Sequence, residues 1–295
     1  MEVKKIAVIG AGNMGHGIAR TCAVHGFEVF MTDTNPEALQ TGMRTIEEEL
    51  KRYFVAKGKM TEVQFSEVLK RLHGTTSLSE TAGDADLVIE SISEDLDLKK
   101  SVFSELDRLC PSETILASNT SYLSITGLGS ATKRPDKVIG MHFFNPPDVN
   151  PLLEVAPGLL TSEETVERVM ATSRKMEKQP MRVKDTPGYV VNRFINVIYP
   201  EAARTVQAGI ATAEQIDFGV KMGLGFRLGP CEMMDYTGLD HLAYRMSQEP
   251  RFSDIYLLQK MADAGRYGRK NGKGFYDYHE DGTRTLADLS NIAGK

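Results

Sequence analysis

Ile6-Ala7-Val8-Ile9-Gly10-Ala11-Gly12-Asn13-Met14-Gly15 decides how the rest of the chain is read. Four apolar residues suit a short buried strand, and three glycines at GxGxxG spacing follow at once. The first glycine permits a tight turn, the second lets backbone approach a pyrophosphate, and the third lets a helix pack on the strand. The helix opening there presents unsatisfied N–H groups, which suit phosphate. Eighteen residues after Gly15, Asp33 ends a second apolar run, Glu28-Val29-Phe30-Met31. A carboxylate there can accept both ribose hydroxyls and repels a 2′-phosphate, so NAD is favoured over NADP. The opposing possibility is a glycine-rich α/β turn that binds nothing; the agreement of loop, strand and Asp33 weighs against it. Gly10, Gly12, Asn13, Met14, Gly15 and Asp33 are the expected cofactor residues.

Working outward, strand-like and helix-like segments alternate through the first half, the pattern of a parallel βαβ sheet. Asn35-Pro36 supplies a helix cap and a proline at the first helical position, opening a long charged helix that reaches Val55 or beyond. Thr61 and Gln64 form a capping box for the next helix. Further strands are expected at residues 86–90, 114–117, 137–141, 152–155 and 181–183, with a helix over 97–110 stopped by Pro111. After Thr186-Pro187-Gly188 only helical periodicity is seen. Residues 189–208 place Val190, Phe194, Val197 and Ile198 on one face, with Pro200 as a kink, and Thr212 with Gln215 opens another helix. The expected fold is therefore α/β, a Rossmann-type doubly wound sheet over residues 1–187, followed by a smaller all-helical domain over 188–295.

Composition narrows the class. With 41% hydrophobic and 25% charged residues the chain is an ordinary soluble globular protein, and a net charge of −5 argues against nucleic acid. Cys22, Cys110 and Cys231 are too far apart for a CxxC metal site and odd in number, which points to a reducing compartment and no disulfide framework. No apolar run approaches the ~20 residues that span a bilayer, and a strand so near the start leaves no room for a signal peptide. The expectation is a cytoplasmic protein with no membrane partner and no metal site.

A dinucleotide domain followed by a second domain suggests a dehydrogenase, which needs a base for a hydroxyl proton; neutral imidazole suits this near pH 7. Six histidines are available, at 16, 25, 73, 142, 241 and 279. His16 and His25 lie in the nucleotide helix, His73 precedes a loop glycine, His241 sits in a helix-like segment, and His279 is near the charged C-terminus. Only His142, in Met141-His142-Phe143-Phe144-Asn145-Pro146-Pro147, comes at the carboxyl end of an expected strand, where open α/β sheets bind ligands. Glu154 closes the next strand-like run and could return to the same edge, fixing the imidazole tautomer. From residues alone His142 is as consistent with a structural histidine as with a catalytic one.

The Gly10–Gly15 loop, Ser118-Asn119-Thr120-Ser121, the His142 segment, Asp185-Thr186-Pro187-Gly188, Asn192-Arg193 and Gly272-Lys273-Gly274-Phe275-Tyr276 occur in order. Together they resemble the L-3-hydroxyacyl-CoA dehydrogenase family, close to the bacterial 3-hydroxybutyryl-CoA dehydrogenases, over essentially the whole chain. The resemblance implies NAD-dependent reversible oxidation of a (3S)-hydroxyacyl-CoA to the 3-oxoacyl-CoA. It implies His142 as general base and Glu154 as its orienting carboxylate, with Ser121 and Asn192 holding the substrate's C3 oxygen. It adds Glu94, Lys99, Asn145 and Lys270 to the NAD residues. Acyl-CoA contacts fall near the basic helix, at Lys51 and Lys57, and a homodimer through the C-terminal domain is implied.

The chain departs from the family pattern at residues 146–151, at Ser91-Ile92-Ser93 and at residues 225–230. Ordinary loop drift accounts for these most simply, but Asp148, Asn150 and Arg227 are candidates for an altered acyl pocket, and Arg227 could bind a distal carboxylate. Two other functions stay open: a dehydrogenase of a free hydroxy or sugar acid, and a non-catalytic NAD-binding relative of the crystallin type.

Overall fold

A computed structural model describes residues 2–289. The chain divides into two compact units, Met1–Val190 and Val191–Lys295, three residues beyond the boundary expected at residue 187. The first is an eight-stranded sheet of β1 (Lys5–Ile9), β2 (Glu28–Thr32), β3 (Leu72–Gly74), β4 (Leu87–Glu90), β5 (Ile115–Ser118), β6 (Val138–Phe143), β7 (Leu152–Pro157) and β8 (Gln179–Arg182). Their order is β3-β2-β1-β4-β5-β6-β7-β8. Every pair is parallel except β6 with β7. Its central strands are near-continuous apolar runs because both faces are covered, as parallel sheets require. Ile6, Val8, Val29 and Ile89 pack into one layer, and Ala7, Val88, Phe103 and Leu116 into another.

The helices of this unit are α1 (Asn13–Val24), α2 (Pro36–Leu50), α3 (Glu62–Lys70), α4 (Leu78–Ala82), α5 (Leu96–Leu109), α6 (Ile125–Gly129) and α7 (Glu163–Lys175). Asn35 caps α2 by accepting from the N–H groups of Glu37 and Ala38, and Thr61 and Gln64 close the expected capping box on α3. The long helix does reach Val55, but Lys51–Val55 is wound as a π-helical turn. The three-residue β3 was not expected: Leu72-His73-Gly74 is too short to show a period of two.

The second unit holds α8 (Val191–Gln207), α9 (Ala213–Leu224), α10 (Pro230–Thr237), α11 (Leu239–Ser247) and α12 (Leu257–Asp263). The all-helical expectation needs one correction, a two-stranded antiparallel ribbon of β9 (Tyr276–Tyr278) and β10 (Arg284–Leu286). Two buried carboxylates organise this unit. Asp217 accepts from the N–H groups of Cys231 and Glu232 and from the Tyr276 hydroxyl, satisfying the start of α10. Asp235 accepts from Phe275 N and Tyr276 N and from the Tyr278 hydroxyl, and burial pushes its pKa up to about 6. A Cβ at Gly274 would lie 2.1 Å from Asp235 Oδ1, so the glycine before Phe275-Tyr276 is a packing requirement. Phe194 and Val197, expected on an apolar face of α8, are about two-thirds exposed, at 66% and 67%.

Candidate active site

The cofactor side is built by the turn from β1 into α1. Gly10 has φ +101°, and a Cβ on Gly15 would lie 1.8 Å from the Gly10 carbonyl oxygen. At Gly12 an added Cβ would meet nothing within 4 Å, so this glycine borders open space. No side chain caps α1 and no acidic residue lies in its first turn, leaving that end to an anion. Asp33 Oδ2 accepts from Ala11 N at 2.9 Å and Oδ1 from Asn35 N at 2.9 Å, tying the glycine loop to the start of α2. A cleft of about 470 Å³ lies beside it, lined by Gly12, Asn13, His16, Asn35 and Thr41 among others. Met14 packs against the core, whereas Asn13 is exposed. The loop, the open helix end and the carboxylate fit a dinucleotide. Burial, reinforced by the Arg20 charge, holds His16 below the usual histidine value.

The catalytic side lies at the carboxyl ends of β5 and β6. Because β7 runs back against β6, its early residues meet the last ones of β6, and His142 is the register partner of Glu154. Glu154 therefore sits inside β7 and does not close it. Its carboxylate is fully buried; Oε2 is 2.8 Å from His142 Nδ1, and Oε1 accepts from Val190 N at 3.0 Å. A carboxylate only accepts, so His142 carries its hydrogen on Nδ1 and leaves the Nε2 lone pair toward Ser121 Oγ, 3.0 Å away. The imidazole is 5% exposed and flanked by the rings of Phe144 and Tyr189. Tyr189 has φ +42°, a backbone state that L-residues rarely adopt, and it is the turn that aims Val190 N at Glu154.

Glu94 holds the Ser121 turn: its Oε1 accepts from Ser121 N at 2.9 Å, Tyr122 N at 3.1 Å and Thr120 Oγ1 at 2.5 Å. Lys99, expected as a cofactor contact, is 1% exposed, 2.5 Å from Glu90 Oε1 and 3.5 Å from Glu94 Oε2. Its place is behind Glu94, with no surface to offer a ligand. Asn145 is exposed and precedes a cis peptide bond to Pro146. Asn119, in the Ser118–Ser121 motif, accepts through Oδ1 from Phe143 N at 2.8 Å and ties β5 to the end of β6. Asn192 lies in α8 and Lys270 in a short turn paired with Asp240, both in the second unit. Lys51 pairs with Glu47 at 2.6 Å and Lys57 reaches over the Tyr53 ring, both on the exposed arm after α2.

The suspected acyl-pocket role of Asp148 is corrected. Its carboxylate forms an ion pair with buried Arg20, Oδ1 to Nη2 at 2.7 Å, and Arg20 also pairs with Glu49. Asn150 Oδ1 accepts from Leu152 N, while Lys178 donates to the carbonyls of Pro147 and Asn150, so this loop is anchored inward. Arg227 is exposed, in the loop before α10.

Family profiles match both units: the "3-hydroxyacyl-CoA dehydrogenase, NAD binding domain" over residues 5–186 and the "3-hydroxyacyl-CoA dehydrogenase, C-terminal domain" over residues 188–278. A probable 3-hydroxybutyryl-CoA dehydrogenase of Bacillus subtilis is 45% identical over 286 residues, 95% of this chain and 99% of that protein. The crystal structure of FadB2 from M. tuberculosis is similar at a TM-score of 0.89 and 38% identity, covering 95% of this chain and 100% of that one. The structure of (S)-3-hydroxybutyryl-CoA dehydrogenase PaaH1 from Ralstonia eutropha matches at 0.85 and 38%, with the same coverage.

Proposed function

The chain belongs to the 3-hydroxyacyl-CoA dehydrogenase family, and on that premise we propose that His142 is the general base of its reaction. The protein is an NAD-dependent 3-hydroxyacyl-CoA dehydrogenase, an oxidoreductase that interconverts a (3S)-hydroxyacyl-CoA and the 3-oxoacyl-CoA. The observation that carries the assignment of His142 is its double contact, Nδ1 to Glu154 at 2.8 Å and Nε2 to Ser121 at 3.0 Å. In the oxidation Nε2 takes the proton of the C3 hydroxyl, and Glu154 stabilises the imidazolium that results. In the reduction the imidazolium returns that proton to the C3 oxygen. Ser121 holds this oxygen. When bound, NAD supplies the acceptor for the hydrogen and electron pair that leave C3. Gly10, Gly12, Asn13, Met14, Gly15, Asp33, Glu94 and Asn145 would hold the cofactor. Lys51 and Lys57 meet the phosphates of coenzyme A.

The substrate is a short thioester, 3-hydroxybutyryl-CoA or similar, in keeping with the names of the similar proteins. The enzyme works as a homodimer through its second unit. Phe194 and Val197 share one face of α8 and Phe218 and Met222 one face of α9, all at least 65% exposed, and large exposed apolar side chains in such number mark an interface. It resides in the cytoplasm. All three cysteines are buried free thiols, with Cys22 and Cys110 pushed up by burial to about 12 and about 11, as suits a reducing compartment.

The test is NADH oxidation with acetoacetyl-CoA, run beside free acetoacetate and with NADPH as a parallel cofactor. Turnover with the thioester alone supports the reading; turnover with the free acid at the same rate removes the coenzyme A contacts from it.

A further inference from the structure

Glu90 ends β4 with its carboxylate fully buried, and none of the steps above uses it. A charge buried to that degree is costly unless paired and hydrogen-bonded, so its partners state its purpose. Oε1 accepts from Ile92 N at 2.7 Å and from Lys99 Nζ at 2.5 Å; Oε2 accepts from Ser118 Oγ at 2.6 Å. Two arms leave from these oxygens. Along the first, Ser118 Oγ accepts from Thr120 N at 3.2 Å. Along the second, Lys99 lies 3.5 Å from Glu94, and Glu94 grips Thr120 Oγ1 and the N–H groups of Ser121 and Tyr122. Thr120 Oγ1 in turn accepts from Leu123 N at 3.0 Å. Both arms thus close on one short turn, residues 120–123, which sets Ser121 Oγ 3.0 Å from His142 Nε2.

We infer that Glu90 is a positioning residue for Ser121, holding through Ser118 and through the Lys99–Glu94 pair the turn that sets Ser121 Oγ against His142 Nε2. The inference rests on Ser121 holding the substrate oxygen. It separates Glu90 from an ordinary buried ion pair, which would be complete with Lys99 alone and would not need Ser118 on its second oxygen. Glutamine does not replace it. The Ser118 hydroxyl can turn to accept from the amide, but the neutral side chain leaves the buried Lys99 ammonium without its carboxylate, so the Lys99–Glu94 arm loosens.

The experiment is a double-mutant cycle on turnover of acetoacetyl-CoA with NADH, combining Glu90→Gln with Ser121→Ala. Glu90→Gln alone is expected to lower kcat by about ten- to a hundredfold, the scale of a small misplacement of a reacting-site group. In the Ser121→Ala background the same change is expected to cost about twofold or less, because the group it positions is already gone. Equal fold losses in both backgrounds, or an unchanged kcat in Glu90→Gln, overturn the inference while leaving the role of Ser121 standing. A harmless Ser121→Ala beside an impaired Glu90→Gln overturns both. If Glu90→Gln does not fold, Ser118→Ala opens the first arm alone and enters the same cycle: a loss that vanishes with Ser121→Ala supports the inference, and one that persists undiluted overturns it.

Discussion

Replacing Glu154 by glutamine sets two hydrogen bonds in conflict. The wild-type carboxylate accepts twice, from Val190 N at 3.0 Å and from His142 Nδ1 at 2.8 Å. Glutamine has one oxygen for these two places, and Val190 N can only donate. If the amide oxygen stays on Val190, its NH₂ faces Nδ1, the imidazole must carry its hydrogen on Nε2, and the lone pair that should take the substrate proton is lost. If the amide flips, the imidazole keeps its working tautomer but a buried backbone N–H faces a donor, which costs about 1–3 kcal/mol. At about 1 kcal/mol the working state is about one molecule in six, which sets the smallest expected loss in kcat, and at about 2 kcal/mol it is about one in thirty. The larger bound, about 10⁴-fold, is that of the same tautomer trap in a serine-protease triad. The assay is steady-state NADH oxidation with saturating acetoacetyl-CoA, with NADH binding and thermal unfolding measured on the same preparation. Raising the pH is expected not to restore turnover, because a tautomer and not a charge has changed. A folded, NADH-binding variant with kcat within about threefold of wild type would refute the reasoning.

Other expectations follow from the same geometry. His142→Gln removes the proposed proton acceptor and is expected to cut kcat sharply, by about 10²-fold or more, with NADH binding retained in a direct titration. Asp33→Ala removes the proposed ribose acceptor as well as the tie to Ala11 N; NADH affinity should fall by about ten- to a hundredfold and the preference for NADH over NADPH should narrow, as paired titrations would show. For His16, held below its ordinary value by burial, the unfolded chain takes up a proton as pH falls through 6.5 while the folded one does not. Stability is therefore lost on the acid side, and between about pH 7.5 and 5.5 the melting temperature of wild type should fall relative to that of His16→Gln. Phe194→Glu with Phe218→Glu places charge on the exposed faces of α8 and α9 and is expected to yield a monomer in sedimentation, against a dimer for wild type.

Much of the fold was determined locally and could be read from residues alone. The β1–Gly10 turn, the Asn35 cap and the Thr61 and Thr212 capping boxes depend on neighbours within a few positions, and the parallel strands announce themselves as apolar runs between helical segments. His142 and Glu154 were legible as candidates because both lie in runs at a strand edge. Their pairing was open to the sequence only as a possible return of Glu154 to the same edge and as what the resemblance implies; the way it is made, β7 reversing against β6, is a choice of sheet topology. The fates of Lys99 and Asp148 were illegible for the same reason. Each looks like a surface charge in sequence, and each is turned inward by a partner on another element, Glu90 at the end of β4 for one and the distant Arg20 in α1 for the other. Glu90 itself carries no sequence signal beyond being an acid at the end of an apolar strand. Only the neighbouring strand β5 and helix α5, which bring Ser118 and Lys99 to its two oxygens, decide that its charge can be buried, because that cost is met by partners placed by tertiary packing.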